Sequence, residues 1–259
     1  MWRSERQTVP FKKLIKEQGV RILTLDIETT AHTVRTWGLF KQNIGLNQIV
    51  EPGKVLCLAY KWLDDRKIHF LRADTPNFAE TIRDLLSEAD YVVHWNGTAF
   101  DIPHLQREII MTGLTPPKPF KQIDLLLTAR KQFRFASNKL DWVAQQLGVG
   151  AKVKHEGFDL WTACEAGDEA AWKRMEKYNI GDIKVTEGLY LKLLAWIPSS
   201  AHIGMFMDRS HCCARCGSTE LEQDGYAYAH SQKYLLFQCM ECGFWNRGTK
   251  KIKQSLTTR

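Results

Sequence analysis

The sequence predicts an α/β protein, with a mixed sheet flanked by helices and a small C-terminal β module. Three observations carry this. Apolar runs of strand length around Leu25, Leu58 and Val92 alternate with segments whose apolar residues recur at helical spacing. The first three strands come before the first helix of the pattern, whereas helices separate the later ones. Five of the seven cysteines fall at or after position 212.

The elements can be justified in order. Val20 to Glu28 is a strand of leucine and β-branched residues that ends in acids and threonines. Pro52-Gly53 marks a turn before a second strand, Val55 to Trp62. Asp64-Asp65 turns the chain into a short third strand, Lys67 to Leu71, so the three make an antiparallel meander. Pro76-Asn77 opens a helix in which Phe78, Ile82, Leu85 and Leu86 share a face. Tyr91 to Trp95 is a fourth strand, Asn96-Gly97 a turn, and Phe100 to Met111 a helix stopped at Gly113. A stiff loop with Pro116, Pro117 and Pro119 leads to Lys121–Leu127, which admits a fifth strand with a helix after it. Ser137-Asn138 caps a short helix, Lys139 to Leu147, stopped by Gly148. Asp168 begins a long helix through Trp172, Met175, Tyr178 and Val185 to about Leu194, ended by Pro198 and two serines. A domain boundary is expected near 198–210. Periodicity does not contain the strand order.

Composition excludes several classes. With 259 residues, 44% apolar and 25% charged, the chain is neither disordered nor collagenous nor a coiled coil. MWRSERQTVPFKK at the N-terminus lacks the apolar core of a signal peptide, and no apolar run approaches ~18 residues. The expectation is a soluble cytoplasmic protein with reduced cysteines and no membrane association; a phage or mobile-element origin would suit such a compact chain. The net charge of +7 sits at the ends. Residues 1–20 hold five cations against two anions, residues 243–259 five cations and no anion, and the body between them carries −1.

The body's acids carry the chemistry. Asp26-Ile27-Glu28 is the only Asp-x-Glu, and on a strand its two carboxylates face the same way. They repel unless a cation lies between them, and hard oxygen donors at this spacing suit Mg²⁺ or Mn²⁺. A strand running out into solvent would give the same pair. Asp101 follows the fourth strand in Asn96-Gly97-Thr98-Ala99-Phe100-Asp101, where an acid in a helix's first turn is also explained by the helix dipole. Tyr178 and Asp182 lie four apart on one helix face, with Gly181 leaving room for close approach, although a core aromatic would also account for Tyr178.

In combination these segments resemble the DEDD-type 3′→5′ exonucleases, in the tyrosine subclass shared with proofreading domains of DNA polymerases. The motifs are Leu25-Asp26-Ile27-Glu28-Thr29-Thr30, Asn96 to Asp101, and Tyr178-Asn179-Ile180-Gly181-Asp182, in order within residues 20–195. Lys177 stands where the histidine subclass carries His. The resemblance implies a ribonuclease H-like fold with a five-stranded mixed sheet, and two-metal hydrolysis of phosphodiesters to nucleoside 5′-monophosphates. It makes Asp26 the bridging ligand of two Mg²⁺ or Mn²⁺ ions. Glu28 and Asp182 then lie on the metal that activates water, Asp101 holds the second metal through its waters, and Tyr178 orients the attacking water. Asp124 and Ser137-Asn138-Lys139-Leu140-Asp141 also look similar to the family, in structural roles.

Cys213-Ala214-Arg215-Cys216-Gly217 and Cys239-Met240-Glu241-Cys242-Gly243 are two C-x-x-C-G knuckles, 22 residues apart. Four thiolates so spaced favour a structural Zn²⁺, and with Tyr226–Tyr228 and Tyr234–Phe237 as short strands the segment resembles a zinc ribbon. Disulfides are the alternative, Cys212 competes with Cys213 as first ligand, and His211 and His230 read as bystanders. The expected domains are a nuclease over 1–199, a ribbon over 200–248 and a basic tail over 249–259.

Substrate contacts are expected from Lys118, Lys121, Arg130, Lys131 and Arg134 with Phe120 and Phe133 among them, from a smaller group at Lys152, Lys154 and His155, and from Asn96 and Phe100. Solvated helix faces and core phenylalanines explain the basic stretch equally well. Trp37 in Trp37-Gly38-Leu39-Phe40 suits either a wedge against a terminal base or core packing. The preferred partner is DNA, single-stranded or at 3′ ends, with replication proteins at the ribbon. The rivals are RNA as substrate, a structure-specific endonuclease, and a non-catalytic nucleic-acid-binding or replication scaffold.

Overall fold

The computed structural model describes residues 8–153, 156–198, 202–207, 211–229 and 232–252. Lys154, His155, His230, Lys253, Arg259 and much of the expected 198–210 boundary lie outside the described residues.

Five strands form the main sheet: β1 (Ile22–Thr29), β4 (Val55–Trp62), β5 (His69–Arg72), β6 (Tyr91–His94) and β7 (Lys121–Asp124), in the order β5-β4-β1-β6-β7. β4 runs antiparallel to β1 and β5, while β1, β6 and β7 are parallel. The meander is therefore as expected, and each parallel strand is reached through a helix on the sheet's face.

The period of two along the strands sorts side chains between two cores. Leu23, Leu25, Ile27 and Val92 turn to the face covered by α2 (Phe78–Glu88) and α3 (Asp101–Met111), against Ile82, Leu86, Leu105 and Ile109. Ile22, Tyr91 and Val93 turn to the other face, against α1 (Thr8–Glu17), α4 (Leu125–Gln132), α5 (Leu140–Gln146) and α7 (Glu169–Leu193). Asp26 and Glu28 alternate with the first set, so they face α7. A third cluster joins α6 (Phe158–Glu165) and α7 to Leu56 and Cys57 of β4.

Several expectations are corrected. α1, built on a cationic stretch, anchors Phe11 and Ile15 in the core, and α6 was not anticipated. The N-cap position of α5 is Lys139, without a side-chain cap, and Ser137 Oγ merely accepts from the Lys139 amide at 3.3 Å. Trp37 does not pack in the core: Trp37, Leu39 and Phe40 lie on an exposed excursion between the short strands β2 (Thr33–Val34) and β3 (Ile49–Glu51). The C-terminal module is a three-stranded antiparallel sheet of β8 (Leu221–Ala229), β9 (Gln232–Cys239) and β10 (Trp245–Lys251), ordered β10-β9-β8. Lys250 and Lys251, expected in the tail, belong with Arg247 to β10, which crosses the expected edge at 248.

The module shares a core with the main sheet. Cys213, Cys216 and Cys239 are buried in the same cluster as Tyr91, Val93, Leu189 and Tyr190. Arg215, only 1% exposed, donates from Nε to the Ile197 carbonyl at 3.0 Å and stacks over Phe244 at 4.2 Å. Among the described residues no helix is long and apolar enough to cross a membrane.

Candidate active site and cysteine cluster

Asp26 and Glu28 sit near the C-terminal end of β1, on the face against which α7 packs Tyr178, Asn179 and Asp182. Carboxylate oxygens of Asp26, Glu28 and Asp182 all lie within 4.8 Å of one another. Asp101 stands beside this triad rather than within it. Pairing of β1 with β6 stops at Thr24↔Val93, and the Ile27 amide beyond it donates to Asp101 Oδ1 at 3.0 Å. The first residue of α3 thus takes the place of the neighbouring strand and is fixed against β1.

Asn179 fixes the opposite side. Buried on α7, it donates from Nδ2 to Asp26 Oδ2 at 2.7 Å. Trp161 of α6 hydrogen-bonds Glu28 and meets the Tyr178 ring edge-on, with centroids 5.9 Å apart. Lys152 enters from the loop after α5. Its Nζ forms an ion pair with Asp182 Oδ2 and donates to Tyr178 Oη at 3.2 Å, while its backbone amide donates to Asp141 Oδ1 at 2.7 Å. The loop can come this near because α7 presents glycines to it. A Cβ at Gly181 would fall 2.8 Å from Val153, and one at Gly188 2.4 Å from Val149.

The acids show the strain of their crowding. Burial, then the charges of Asp101, Asp182 and Glu28, lift Asp26 well above the carboxylate range. Burial pushes Glu28 up to about 8, with Asp182 and Asp101 adding to it and Lys152 opposing. Asp101 rises to about 7 by burial, although the Ile27 amide holds it down. Tyr178 is raised by burial and by Asp182 and Glu28, so its hydroxyl stays protonated. Burial alone would lower Lys152, but Asp182, Tyr178 and Asp26 raise it, which keeps it a cation. Such a set fits a divalent ion, whose charge removes the repulsion that lifts these pKa values.

The turn before Asp101 has its own support. Asp124 caps α4 through the amides of Leu126 and Leu127, and also accepts from Asn96 and Thr98. The Gly97 amide donates to His94 Nδ1 at 3.0 Å, so Nε2 carries the proton and donates to Gln122. Burial depresses the His94 pKa and keeps the ring neutral. A Cβ at Gly97 would fall 2.3 Å from that ring, and Asn96 has a φ of +70.

The expected substrate residues divide. Asn96 and Phe100 lie on the turn that leads to Asp101, and Phe100 is partly exposed, edge-on to His104. Arg130 and Lys131 are exposed in the last turn of α4. Lys118 and Lys121 are not brought to the acids. Lys121 pairs with Tyr91 at the start of the parallel strands, the end away from Asp26, and its Nζ lies 5.4 Å from the Phe206 ring. Sequence reasoning placed Lys152 only in a basic group and gave Asn179 and Trp161 no role. The one available signal was the glycine pair on α7, seven residues apart, which marks a face that another segment approaches.

In the second cluster, Sγ atoms of Cys213, Cys216, Cys239 and Cys242 lie within 4.8 Å of one another. The pairs Cys213–Cys242 and Cys216–Cys239 are 3.5 Å apart, far beyond a disulfide bond of about 2.05 Å, and none of the seven cysteines is joined in a disulfide. Cys212 is outside the set and approaches Gly204 instead. The cluster fits a tetrahedral thiolate metal site.

Among curated proteins none matches the chain. Among solved structures it is similar to the family B DNA polymerase from the hyperthermophilic archaeon Pyrobaculum calidifontis, at 18% identity and a TM-score of 0.51. That likeness covers 84% of this chain and 32% of the polymerase, so the chain spans about a third of it, and at this identity it speaks for the fold. Residues 23–194 match the family RNase_H_2, described as RNase_H superfamily. Because that match takes in all but the first residue of the five-stranded sheet and the helix bearing Asp182, and more than half of the sequence, the chain belongs to the RNase_H superfamily.

Proposed function

We propose that the protein is a metal-dependent 3′→5′ exonuclease that hydrolyses DNA and releases nucleoside 5′-monophosphates. The RNase H-like nuclease fold supports a nuclease. The observation that carries the finer reading is the convergence of Asp26, Glu28 and Asp182 within 4.8 Å, with Asp101 fixed alongside and the protonated Tyr178 hydroxyl next to Asp182. Mg²⁺ or Mn²⁺ bound here would supply an activated water and stabilise the leaving 3′ oxygen. Asp26, Glu28 and Asp182 would hold one ion, and Asp26 with Asp101 a second. Tyr178, too weak an acid to serve as base near neutral pH, orients the water by hydrogen bonding. Phe100 and Trp37 offer rings to the terminal bases. Four thiolates, Cys213, Cys216, Cys239 and Cys242, hold one structural Zn²⁺. The nuclease occupies 1–199, and the ribbon from 200 takes in β10.

The test uses 5′-labelled single-stranded DNA, duplex DNA and RNA with Mg²⁺ or Mn²⁺. The expected product is a ladder on DNA that shortens from the 3′ end, abolished in Asp26→Ala and reduced but measurable in Tyr178→Phe. One discrete internal cut would make the chain an endonuclease, a ladder on RNA alone would move the substrate to RNA, and binding without cleavage would make it a scaffold. Wild-type rates in Asp26→Ala would overturn the site.

A further inference from the structure

The outer face of the cysteine-bearing sheet has features the nuclease site does not use. Residues Gln232–Gln238 of β9 are all only partly buried, so neither face of the three-stranded sheet is fully covered. On one face the register sets Trp245 opposite Gln238, Arg247 opposite Leu236 and Lys251 opposite Tyr234. Trp245 is 42% exposed, Arg247 and Lys251 are exposed, and the Arg247 guanidinium lies over the Tyr234 ring at 4.6 Å. Two rings therefore stand four β9 positions apart, roughly 13 Å along the strand, with a guanidinium stacked over the second ring and an ammonium beside it.

Charge on this sheet is sorted by edge. β10 carries Arg247, Lys250 and Lys251 and no acid, whereas Glu220, Glu222 and Asp224 lie in and beside β8. Glu222 pairs with Gln238 and so shares the aromatic face, but on the far strand. A polyanion is thus drawn to the β10 side, where Trp245 lies. Unpaired bases have free π-faces to stack on Trp245 and on the Arg247 guanidinium that Tyr234 backs, and their phosphates fit the cations of β10. Bases in a duplex are already stacked and offer no such face.

We infer that the Trp245–Arg247–Tyr234–Lys251 face binds single-stranded nucleic acid by base stacking and phosphate contacts, as a site separate from the carboxylates. The binding needs no cleavage, so it stands or falls independently of the exonuclease reading.

The test measures anisotropy of fluorescein-labelled (dT)₂₀ with the full chain, without added divalent ion, across a salt series. Trp245→Ala and Tyr234→Ala should each weaken binding roughly fivefold or more. Arg247→Ala should make the salt slope shallower by about 0.7. A blunt duplex of the same length should show no dependence on the two rings. Bound zinc per chain and melting temperature report folding. Trp245→Phe, which keeps a ring, should retain most of the affinity and keeps the test readable if Trp245→Ala does not fold. Wild-type affinity and salt slope in a folded Trp245→Ala/Arg247→Ala double variant would overturn the inference. Equal dependence of duplex binding on the rings would overturn the stacking on which it rests.

Discussion

At the scale of single residues, the site is an excess of negative charge that Lys152 partly balances. Its ammonium touches Asp182 and Tyr178, where a divalent ion would also draw the carboxylates together. Lys152→Ala should therefore destabilise the metal-free protein by about 2 kcal/mol, less than loss of a fully buried pair because the lysine is partly solvated. Mg²⁺ should restore most of that. Urea melts with and without the ion check it, and an equal loss in both conditions would refute the compensation. Protons act in the same sense. Folded, Glu28 holds its proton up to about pH 8 and Asp101 up to about 7, while unfolded carboxylates release theirs near pH 4. Between about pH 4 and 8 these two groups bind more protons in the folded chain than in the unfolded one, so their contribution to metal-free stability falls as pH rises. The slope of melting temperature against pH should flatten in Glu28→Gln, and an identical slope would exclude the assignment. Asp26, Glu28, Asp101 and Asp182 were legible because their spacing within local motifs fixes which way they point. Lys152 was not, because its place depends on how a loop folds back onto a helix 26 positions further on.

At the scale of elements, that fold-back rests on Gly181 and Gly188. Helix interiors disfavour glycine by about 1 kcal/mol relative to alanine, so two on one face of α7 need a packing reason. The close approach of Val149 and Val153 supplies it. Gly188→Ala should cost about 1–3 kcal/mol through overpacking despite its better helix propensity, and should lower nuclease activity by shifting Lys152. Adding Val149→Ala should recover stability and part of the activity. Chemical denaturation of the single and double variants decides this, and a double variant no more stable than Gly188→Ala would count against the contact. The strands with the densest apolar runs, β1, β4 and β6, were readable because both of their faces are buried. β10 was not, since Trp-Asn-Arg-Gly-Thr-Lys-Lys has no strand pattern of its own and becomes a strand only through pairing with β9. α1 escaped for a related reason: its apolar face is narrow, Phe11 and Ile15 with Leu14 beside them, among lysines.

At the scale of the whole molecule, the cysteine module and the main sheet fold around common side chains. Cys213, Cys216 and Cys239 lie in one core with Tyr91 and Tyr190, and Arg215 ties that core to Ile197. Loss of the thiolate-bound metal should therefore lower the stability of the entire chain. Stripping zinc, or Cys216→Ser, should give one cooperative transition at lower temperature with loss of nuclease activity. Calorimetry that shows an unaltered main transition beside a lost minor one would mean that the module melts alone. Metal analysis should find one zinc per chain. The small C-terminal β module was readable from the cysteine spacing, but not the fusion of the cores, because Arg215 between two cysteines looks in sequence like an ordinary surface cation.

The burial of Arg215 among Tyr91, Tyr190 and Phe244 also bears on inheritance. Parts that share buried side chains are not interchangeable cassettes. A ribbon acquired by recombination from an unrelated gene would bring a different residue against the two tyrosines, and the recipient would lose part of its own interior. The lineage of this chain is therefore expected to have carried the two parts as one unit, with changes at position 215 accompanied by changes at 91 and 190.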